Sequence, residues 1–501
     1  MRILYCTSYY PPAFVGGAEL IAHEHAARLH AKGHAVGVFA GAIDHPRGRG
    51  SLTQEIYEGL PVWRVGLDQA DFDLKVDSFF DPQVNTHFEK VLDAFCPDVV
   101  HMHNLIGLSM GMLSVVRRRG VLCLTTLHDH WGFCFKNTLL RPNGAVCTDF
   151  TRCSGCFPTV SDREGRTYPM RLRRDFVRHQ TMLADGFISP SYYLACAYVR
   201  AGFPVERFSV IPYGVAHESF RPNADRAEGA RLKVGFAGYL GDHKGVAVLI
   251  EAVALARRRR ELDVVIAGEG YLQDDLEKRV REEGLEGTVR FAGKLDNREV
   301  RQLHESLDVL VVPSIWPENS PVTIYEAFAG ETAVVASRTG GIPELVHHGE
   351  TGLLFEPGSA VELATVLDRL AGDRALAERL GRQACEAIRP VSLSAAVEQL
   401  EGLYQSAHPA PYRRSDERHV IVATDPARDE WKVALERCDA DERFESVRFL
   451  FADWVDEQTR READWVWAPD AASAARMATL GLADKLRIAA SGAALRQALG
   501  L

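Results

Sequence analysis

The chain has 501 residues, a hydrophobic fraction of 46%, a charged fraction of 25% and a formal net charge of −10 at pH 7. This length is more than one hydrophobic core usually serves, so two or three domains are expected. The acidic balance argues against a nucleic-acid partner, which would require a basic surface, and no apolar run approaches the roughly 18 residues of a membrane-spanning helix.

The amino terminus leads directly into a strand. Residues 2–8 form a short apolar run, as in buried parallel strands, and no signal-peptide pattern precedes them, so a cytoplasmic location is expected. Gly16 and Gly17 then open an amphipathic helix over about residues 18–32. Glycines at a helix start let the backbone approach an anionic ligand, although such a pair is more often only a turn. The absence of G-x-G-x-x-G argues against a nicotinamide or flavin enzyme.

Histidines follow two of the next predicted strands. His101 and His103 share one face of the strand over residues 98–104. With no third ligand evident nearby, we favour cleft-lining or hydrogen-bonded core histidines over a metal site. His128 and Asp129 stand at the carboxyl end of the strand over residues 121–129, which is the functional end of a parallel strand. The alternative is a capped strand end.

A cysteine-rich insertion follows over residues 130–167. It holds four cysteines within 23 residues, and the last two form a C-x2-C pair: Cys134, Cys147, Cys153 and Cys156. Four thiolates can bind a structural zinc ion, and the metal would stabilise a loop that has few apolar residues. Free thiols, disulfides or another metal are the alternatives.

Residues 163–178 form a basic segment with six arginines against two acids, interleaved with apolar side chains. Such a segment can lie on an anionic membrane surface, which would place the protein peripherally on the inner face of the membrane. The alternative is a solvated helix face with salt bridges.

The carboxyl-terminal half repeats strands and helices after a polar linker over residues 221–231. Lys244 stands where a strand turns into a helix, well placed to neutralise a diphosphate. Residues 308–314 and 333–337 read as buried strands, and residues 323–329 as a short helix. Glu318 and Glu326 lie between these strands, with seven residues between the two. Because ligands of open parallel sheets bind beyond the carboxyl ends of the strands, one carboxylate can face a sugar and the other a ribose, although most glutamates are simply solvated.

The order of three motifs, WPENSPVTIYEA, TGGIPELV and TGLLFEPG, resembles the E-x7-E region of the family 4 retaining glycosyltransferases, and the resemblance covers residues 1 to about 400. It implies the GT-B fold, in which two doubly wound Rossmann-like domains face a cleft. We expect an acceptor-side domain over residues 1–215, a nucleotide-sugar domain over residues 222–390 and a crossover helix over residues 391–408. Residues 417–501 lie outside the resemblance and predict a small accessory α/β domain with a core rich in tryptophan.

The resemblance also implies a function. The chain would transfer a sugar, with retention of configuration, from a nucleotide-diphosphate sugar to a hydroxyl of a glycan or lipid-linked acceptor, in cell-surface polysaccharide or glycolipid synthesis. No cofactor is then required for catalysis. The alternatives are a phosphorylase or epimerase on the same fold, or a non-catalytic partner subunit.

Site residues follow from the same resemblance. Catalytic roles fall on Glu318 and on His128, a strand-terminal histidine followed by an aromatic residue in HDHW, with Asp129 and His130 as further candidates. The donor-binding residues would be Gly16, Gly17, Lys244, Gly268, Asn319, Ser320, Val322 and Glu326. Lys244 falls on the family pattern G-R-L-x-x-x-K-G, in which Tyr239 replaces the arginine. That departure removes one expected phosphate-binding cation.

Overall fold

The computed structural model describes residues 1–13, 16–150, 153–221, 231–409, 417–424, 430–439, 444, 446–480 and 482–488. Most of the predicted linker over residues 221–231 lies outside the described residues. By their contacts the residues form two compact units, the first comprising Met1–Ile188, Tyr198–Ser209 and Gly402–Leu501, and the second Ser189–Ala197 and Val210–Glu401.

The strands of the described residues, in chain order, are β1 (Arg2–Thr7), β2 (Ala35–Ile43), β3 (Leu52–Tyr57), β4 (Leu60–Leu67), β5 (Val99–Met102), β6 (Leu122–Thr126), β7 (Thr159–Ser161), β8 (Thr167–Pro169), β9 (Gly186–Ser189), β10 (Phe208–Val210), β11 (Leu232–Ala237), β12 (Leu262–Ala267), β13 (Val289–Gly293), β14 (Val309–Val312), β15 (Ala333–Ser337), β16 (Gly352–Phe355), β17 (Arg418–Val422), β18 (Val447–Phe451), β19 (Trp465–Ala468) and β20 (Leu486–Ile488).

The α-helices of the same residues are α1 (Gly17–Ala31), α2 (Pro82–Phe95), α3 (Gly111–Arg119), α4 (Met170–Thr181), α5 (Tyr192–Arg200), α6 (Val246–Leu255), α7 (Gln273–Glu282), α8 (Asn297–Ser306), α9 (Val322–Ala329), α10 (Ile342–Leu345), α11 (Ala360–Gly372), α12 (Arg374–Ile388), α13 (Leu393–Ser406), α14 (Glu430–Asp439), α15 (Glu457–Glu462) and α16 (Ala471–Thr479). Among the described residues, none is both long enough and apolar enough to cross a bilayer.

Two large sheets confirm the predicted doubly wound architecture. The first has the strand order β10-β9-β6-β5-β1-β2-β4-β3, and its central strands pair in parallel, whereas β3 pairs antiparallel with β4. The second has the order β13-β12-β11-β14-β15-β16 and is parallel throughout. The central strands of both sheets are almost wholly buried, which explains why they read as continuous apolar runs and not as alternating ones.

Local sequence also determines where several helices begin. Asp81 caps α2 by accepting hydrogen bonds from the backbone N–H groups of Gln83 and Val84, and Pro82 occupies the first helical position. Asp296 and Glu299 form a reciprocal capping box at the start of α8, with N···O distances of 2.8 and 2.9 Å. These helix starts can be identified from the sequence alone.

The accessory segment contains a parallel sheet of its own, with the order β18-β17-β19-β20. Its four strands fall on four apolar runs of the segment, HVIVAT, SVRFLF, DWVWAP and LRIAA. Trp431, Trp454 and Trp467 are buried, as expected for core residues, whereas Trp465 is half-buried and packs under the guanidinium of Arg418. The predicted domain bounds stay predictions, because contacts group this segment with the amino-terminal residues of the first unit.

The basic segment is not a membrane-facing surface. Its helical part is α4, which is buried along its whole length and packs against β18 of the accessory sheet. Arg171 donates hydrogen bonds to the backbone carbonyls of Cys438, Phe444 and Val447, at 3.2, 2.7 and 2.9 Å. Its guanidinium therefore satisfies carbonyl groups of the accessory segment.

The other arginines of α4 also have partners within the protein. Arg173 lies over the ring of Trp131, and Arg174 pairs with Asp175. Arg178 and Arg448, an arginine of the accessory segment, both pair with the carboxylate of Glu417. Outside the helix, Arg163 and Arg166 pair with nearby aspartates. The prediction of membrane contact through residues 163–178 is therefore wrong, because these cations have intramolecular partners and the helix is buried.

Candidate active site

Glu318 lies in the loop between β14 and α9 of the second unit. Its side chain is 5% exposed, and its Oε1 accepts hydrogen bonds from Lys244 Nζ and Ser314 Oγ, both at 2.7 Å. Lys244 comes from the loop between β11 and α6. Because β11 and β14 are adjacent parallel strands, their carboxyl ends bring these two loops together.

The environment of Glu318 keeps its carboxylate ionised. Burial alone would raise its pKa, but the Lys244 ammonium and the hydrogen bonds outweigh burial and hold the pKa below its usual value. The indole of Trp316 completes the surroundings, with Lys244 Nζ 5.2 Å from the ring centre. A fixed, buried negative charge of this kind can stabilise positive charge that develops on a bound substrate.

A glycine turn supports the Glu318 backbone. Gly341 N–H donates to the carbonyl of Glu318 at 2.7 Å. Gly340 has a φ of +59°, and a Cβ at that position would lie 2.0 Å from the Glu318 carbonyl oxygen. The TGG motif is therefore needed because two backbone segments are in direct contact beside the carboxylate.

The predicted donor-binding residues at the start of α9 lie together. Asn319 and Ser320 are buried, and the Ser320 hydroxyl is 2.8 Å from that of Tyr325 on the helix. The helix then begins at Val322, after Pro321, which has no N–H. The first N–H groups of a helix have no partner within the helix, so this end can bind an anion such as a phosphate.

Glu326 lies one turn further along α9, with its side chain 26% exposed. Its Oε2 is 3.3 Å from Nε2 of His304, a buried residue of α8, although the two do not meet in hydrogen-bond geometry. The two glutamates of the E-x7-E pair therefore differ in environment. Glu318 is buried and ion-paired, whereas Glu326 is partly open to solvent.

Gly268 lies just beyond β12 and has a φ of +138°. A Cβ there would be 1.8 Å from the carbonyl oxygen of Gly238, which follows β11. Any side chain would separate the ends of these two strands. The structure thus explains the glycine through backbone packing, and its predicted contact with the nucleotide stays a prediction.

Tyr239 is 47% exposed where the family pattern has an arginine. Its ring lies 6.2 Å from that of His243 and 6.2 Å from that of Tyr271. The pKa of His243 is lowered to about 4, by burial and by the neighbouring Lys244. His243 is therefore neutral at neutral pH and adds no positive charge beside the lysine.

His128 lies in the first unit, two residues beyond β6. Its Nε2 is 2.8 Å from Nδ1 of His103, which follows the adjacent parallel strand β5. Burial lowers the pKa of His128 to about 3, with a contribution from His25. The imidazole is therefore neutral, and it can act as a hydrogen-bond donor or acceptor but carries no charge.

The two further candidates next to His128 are held within the protein. Burial raises the pKa of Asp129 to about 6, and its carboxylate accepts hydrogen bonds from the Trp131 N–H at 2.8 Å and from Asn137 at 3.3 Å. His130 is buried, and its Nδ1 is 2.9 Å from the carbonyl oxygen of Asn137. Both side chains support the loop that follows β6.

Gly16 and Gly17 form the start of α1. Gly16 is the residue before the helix, and its N–H donates to the carboxylate of Glu19 at 2.9 Å. The two residues before it lie outside the described part of the chain. The role of Gly16 and Gly17 against a donor phosphate stays a prediction.

The four clustered cysteines line one cavity of about 510 Å³ together with several aromatic side chains. All four are free thiols. Among the described residues, no three histidine, cysteine or acidic side chains are close enough to hold a metal ion. Structural zinc at Cys134, Cys147, Cys153 and Cys156 stays a prediction.

Several residues that shape these sites were not identified from the sequence. Ser314 and Gly340 support Glu318, and His304 lies under Glu326. Glu344 accepts the backbone N–H groups of Tyr192 and Tyr193 at the start of α5, at 2.8 and 2.5 Å. The TGGIPE motif contains both Gly340 and Glu344 and was the available signal. Ser314 and His304 carry no local pattern that reveals their partners.

Two family profiles match the chain in succession. The profile of Glycosyltransferase Family 4 matches residues 15–219, and that of Glycosyl transferases group 1 matches residues 220–387. The chain belongs to the group 1, family 4 glycosyltransferases.

Curated relatives match part of this chain. It is 31% identical over 218 residues to an alpha-D-kanosaminyltransferase of Streptomyces kanamyceticus, a match that covers 41% of this chain and 56% of the relative. It is 34% identical over 219 residues to a D-inositol 3-phosphate glycosyltransferase of Corynebacterium glutamicum, covering 40% and 52%. The chain therefore spans about half the length of these relatives.

A solved structure supports the fold of this chain. The crystal structure of the Anabaena protein HepE in complex with UDP and glucose has a TM-score of 0.59 to this chain and is 20% identical to it. The match covers 81% of this chain and 100% of that one. The GT-B fold is thereby shown for the greater part of the molecule.

Proposed function

We propose that the chain is a retaining glycosyltransferase that transfers a hexosyl residue from a nucleotide-diphosphate sugar to an acceptor hydroxyl. One observation carries the proposal. Four groups lie at the carboxyl ends of adjacent parallel strands. They are the buried, ionised Glu318, the phosphate-binding candidate Lys244, the start of α9 and the partly exposed Glu326. Ligands of open parallel sheets bind there.

The diphosphate would lie between Lys244 and the amides at the start of α9. Lys244 is 26% exposed and can reach a ligand while it remains close to Glu318. The partial positive charge of the helix start favours an anion. Because Tyr239 brings no cation, this lysine and the backbone amides would carry the phosphate charge by themselves.

Glu318 would face the donor sugar. Breaking the bond between the anomeric carbon and the phosphate generates positive charge on the sugar, and a buried carboxylate is well suited to stabilise it. The leaving phosphate would accept the proton of the acceptor hydroxyl. The new glycosidic bond would form on the face of the anomeric carbon from which the phosphate departs. Configuration would then be retained.

Glu326 would bind the ribose hydroxyls, since its carboxylate is partly exposed and is an acceptor when ionised. His128 would support the sugar with a neutral imidazole, because its pKa lies well below neutral. UDP is the first nucleotide to test, since the HepE structure contains UDP and glucose. We place the reaction in the cytoplasm, in keeping with ten free cysteines, and in polysaccharide or glycolipid synthesis.

The proposal is tested first by donor binding. A ligand that binds only the folded state stabilises it by about 2.7 kcal/mol at a hundredfold excess over Kd. Thermal melting of the purified chain with UDP, GDP and ADP and their hexose conjugates should show a clear shift for one nucleotide. No shift with any of them would count against a donor site.

Catalysis is tested by product analysis with the donor thus identified. Release of nucleotide and an α-configured product from an α-configured donor, read by NMR, is the expected result. Glu318→Gln should abolish transfer while melting stays near that of wild type, and the exposed Glu350→Gln serves as the matched control. Release of free sugar phosphate or an epimerised donor would instead indicate a phosphorylase or epimerase.

A further inference from the structure

His304 is a buried histidine that lies under Glu326, the second carboxylate of the E-x7-E pair. It belongs to the last turn of α8 and is fully buried. Neither of its ring nitrogens has a hydrogen-bond partner among the described residues. Because most buried polar side-chain groups in folded proteins have a partner, a buried imidazole with two unpaired nitrogens calls for a physical explanation.

The backbone that carries this imidazole is fixed relative to α9. The carbonyl of His304 accepts a hydrogen bond from the hydroxyl of Thr332 at 3.0 Å, and Thr332 is fully buried just beyond the end of α9. The chain neighbours Leu303 and Leu307 belong to an apolar cluster that also contains Phe328 of α9. The imidazole therefore keeps a constant position beside that helix.

The carboxylate of Glu326 is the group that the imidazole faces. Its Oε2 is 3.3 Å from Nε2 of His304, although the two do not meet in hydrogen-bond geometry. A turn of the carboxylate about its terminal bond would align them, and this torsion is broad in glutamate, so the turn costs little. In the part of the chain that the structure describes, no other side chain pairs with this carboxylate or hydrogen-bonds to it.

We propose that His304 is a positioning residue, which holds the Glu326 carboxylate in the orientation that binds the two ribose hydroxyls of the donor nucleotide. The inference rests on the proposed function, because that function assigns the ribose to Glu326. Binding of the ribose would align the carboxylate with Nε2 of His304, and the hydrogen bond between them would then form. Hydrogen bonds of an unliganded site are often poorly aligned and tighten in the complex.

The chemistry of the two groups fixes the direction of this hydrogen bond. An ionised carboxylate has no proton and can only accept, so His304 must donate its Nε2–H. The two carboxylate oxygens together have lone pairs for about four hydrogen bonds. Glu326 can therefore accept from His304 and still accept from both ribose hydroxyls, so the histidine orients the carboxylate without competing with the ligand.

Two amide variants of His304 separate this hydrogen bond from simple packing. The side-chain nitrogen of Gln reaches the place of Nε2 and can donate to Glu326, whereas that of Asn reaches only the place of Nδ1. Both variants put an amide into the same buried position, so both bear the cost of burying it. His304→Gln should therefore behave as the wild type does, and His304→Asn should not.

The measured quantity is the preference of the purified full-length protein for an intact ribose. It is the ratio of the Kd values for 2′,3′-dideoxy-UDP and UDP from isothermal titration, and the same pairs are measured for GDP and ADP. For the base that binds, the wild type should prefer the intact ribose by at least about 10-fold, since hydrogen bonds to a charged group are lost with the hydroxyls. His304→Asn should lower this preference by about 10-fold, whereas His304→Gln should retain most of it. A general loss of affinity cancels in the ratio.

Two further variants show whether His304 acts through Glu326. When Glu326→Ala is already present, adding His304→Asn should cause no further loss of preference, because no carboxylate remains to be oriented. Thr332→Val is the matched control, since it removes the hydrogen bond to the His304 backbone and keeps the imidazole. It should retain the preference even where it lowers the melting temperature.

A transfer assay gives an independent readout. Contacts to the ribose are the same before and during the reaction, so their loss weakens binding of the donor and of the transition state equally. His304→Asn should therefore raise the donor KM and leave kcat unchanged. His304→Gln should restore the KM of the wild type.

Three results would overturn the proposal: no preference for an intact ribose in the wild type, equal preferences in the two amide variants, or a loss in Thr332→Val as large as that in His304→Asn. The binding measurements need neither an acceptor nor transfer. A chain that shows the expected preferences but transfers no sugar would refute the proposed function and leave the role of His304 standing. Transfer with equal preferences in the two amide variants would do the reverse, and a chain that binds none of the three nucleotides would refute both.

Discussion

Asp175 accepts the backbone N–H of Phe449 at 3.0 Å, although 274 residues separate them in the chain. The same carboxylate, fully buried on α4, also pairs with Arg171 and Arg174 at 3.1 Å each. It thus joins a helix of the amino-terminal part of the chain to β18, an edge strand of the accessory sheet. Within the first unit, buried charges therefore fasten the accessory segment to the amino-terminal part of the chain.

We expect Asp175→Asn to destabilise the protein strongly. Removal of one partner from a buried ion pair costs about 3–5 kcal/mol, because the remaining charges stay buried without compensation. The measurement is thermal or denaturant unfolding, with Asp453→Asn, an exposed aspartate of the accessory segment, as the control. Equal stability of the two variants would contradict the assigned role.

The pH dependence of stability should report on the same carboxylate. Burial would raise the pKa of Asp175, but the arginines Arg174, Arg171 and Arg448 outweigh burial and lower it to about 2, below the value of about 3.9 in an unfolded chain. The contribution of the Asp175 carboxylate to the free energy of unfolding is therefore present above pH 4 and lost as the pH falls towards 2. In that range the stability of the wild type should fall more steeply than that of Asp175→Asn.

Lys244→Met should weaken nucleotide binding. The variant keeps the length of the side chain but removes the cation proposed to bind the diphosphate, and a charge-assisted hydrogen bond contributes about 1.5–3 kcal/mol, or about 10-fold to 100-fold in Kd. Isothermal titration with the nucleotide that stabilises the wild type measures the change. Lys278→Met, on the exposed face of α7, should bind as the wild type does.

Gly340→Ala should inactivate the enzyme by moving Glu318. The Cβ would lie 2.0 Å from the Glu318 carbonyl oxygen, at a φ of +59° that alanine rarely adopts, so the loop must shift. We expect loss of transfer together with a lower melting temperature. Gly349→Ala, at a positive φ but with no atom within 4 Å of the added Cβ, controls for backbone strain alone and should retain activity.

The cysteine cavity makes a separate prediction. If the four thiols bind structural zinc, mass spectrometry of the purified chain should show one zinc per molecule, and Cys153→Ser should lose both the metal and part of the stability. Cys385→Ser, outside the cluster, should keep the metal. Absence of stoichiometric metal, with four thiols that react quickly with a thiol reagent, would instead indicate free cysteines.

Much of the two large sheets and of the candidate site could be predicted from the sequence, because the signals are local. Buried parallel strands read as apolar runs, and functional side chains follow their carboxyl ends within a few residues. Glu318, Lys244 and His128 were placed at strand ends in this way, and the family resemblance implied their roles. Their partners Ser314, Gly340 and His103 were not assigned these roles, since a hydrogen bond across two strands leaves no pattern in the sequence of either one.

The arginines of α4 show where sequence reasoning fails. A segment with six arginines, four of them in α4, and interleaved apolar residues fits a membrane surface or a solvated helix equally well, because composition says nothing about what covers a helix. The cover is the accessory sheet, whose carbonyls and carboxylates lie more than 200 residues away in the chain. The sequence by itself thus determined the strands, the helices and the family of this protein. Only the tertiary structure decided which charges are buried, because burial depends on distant segments that meet when the chain folds.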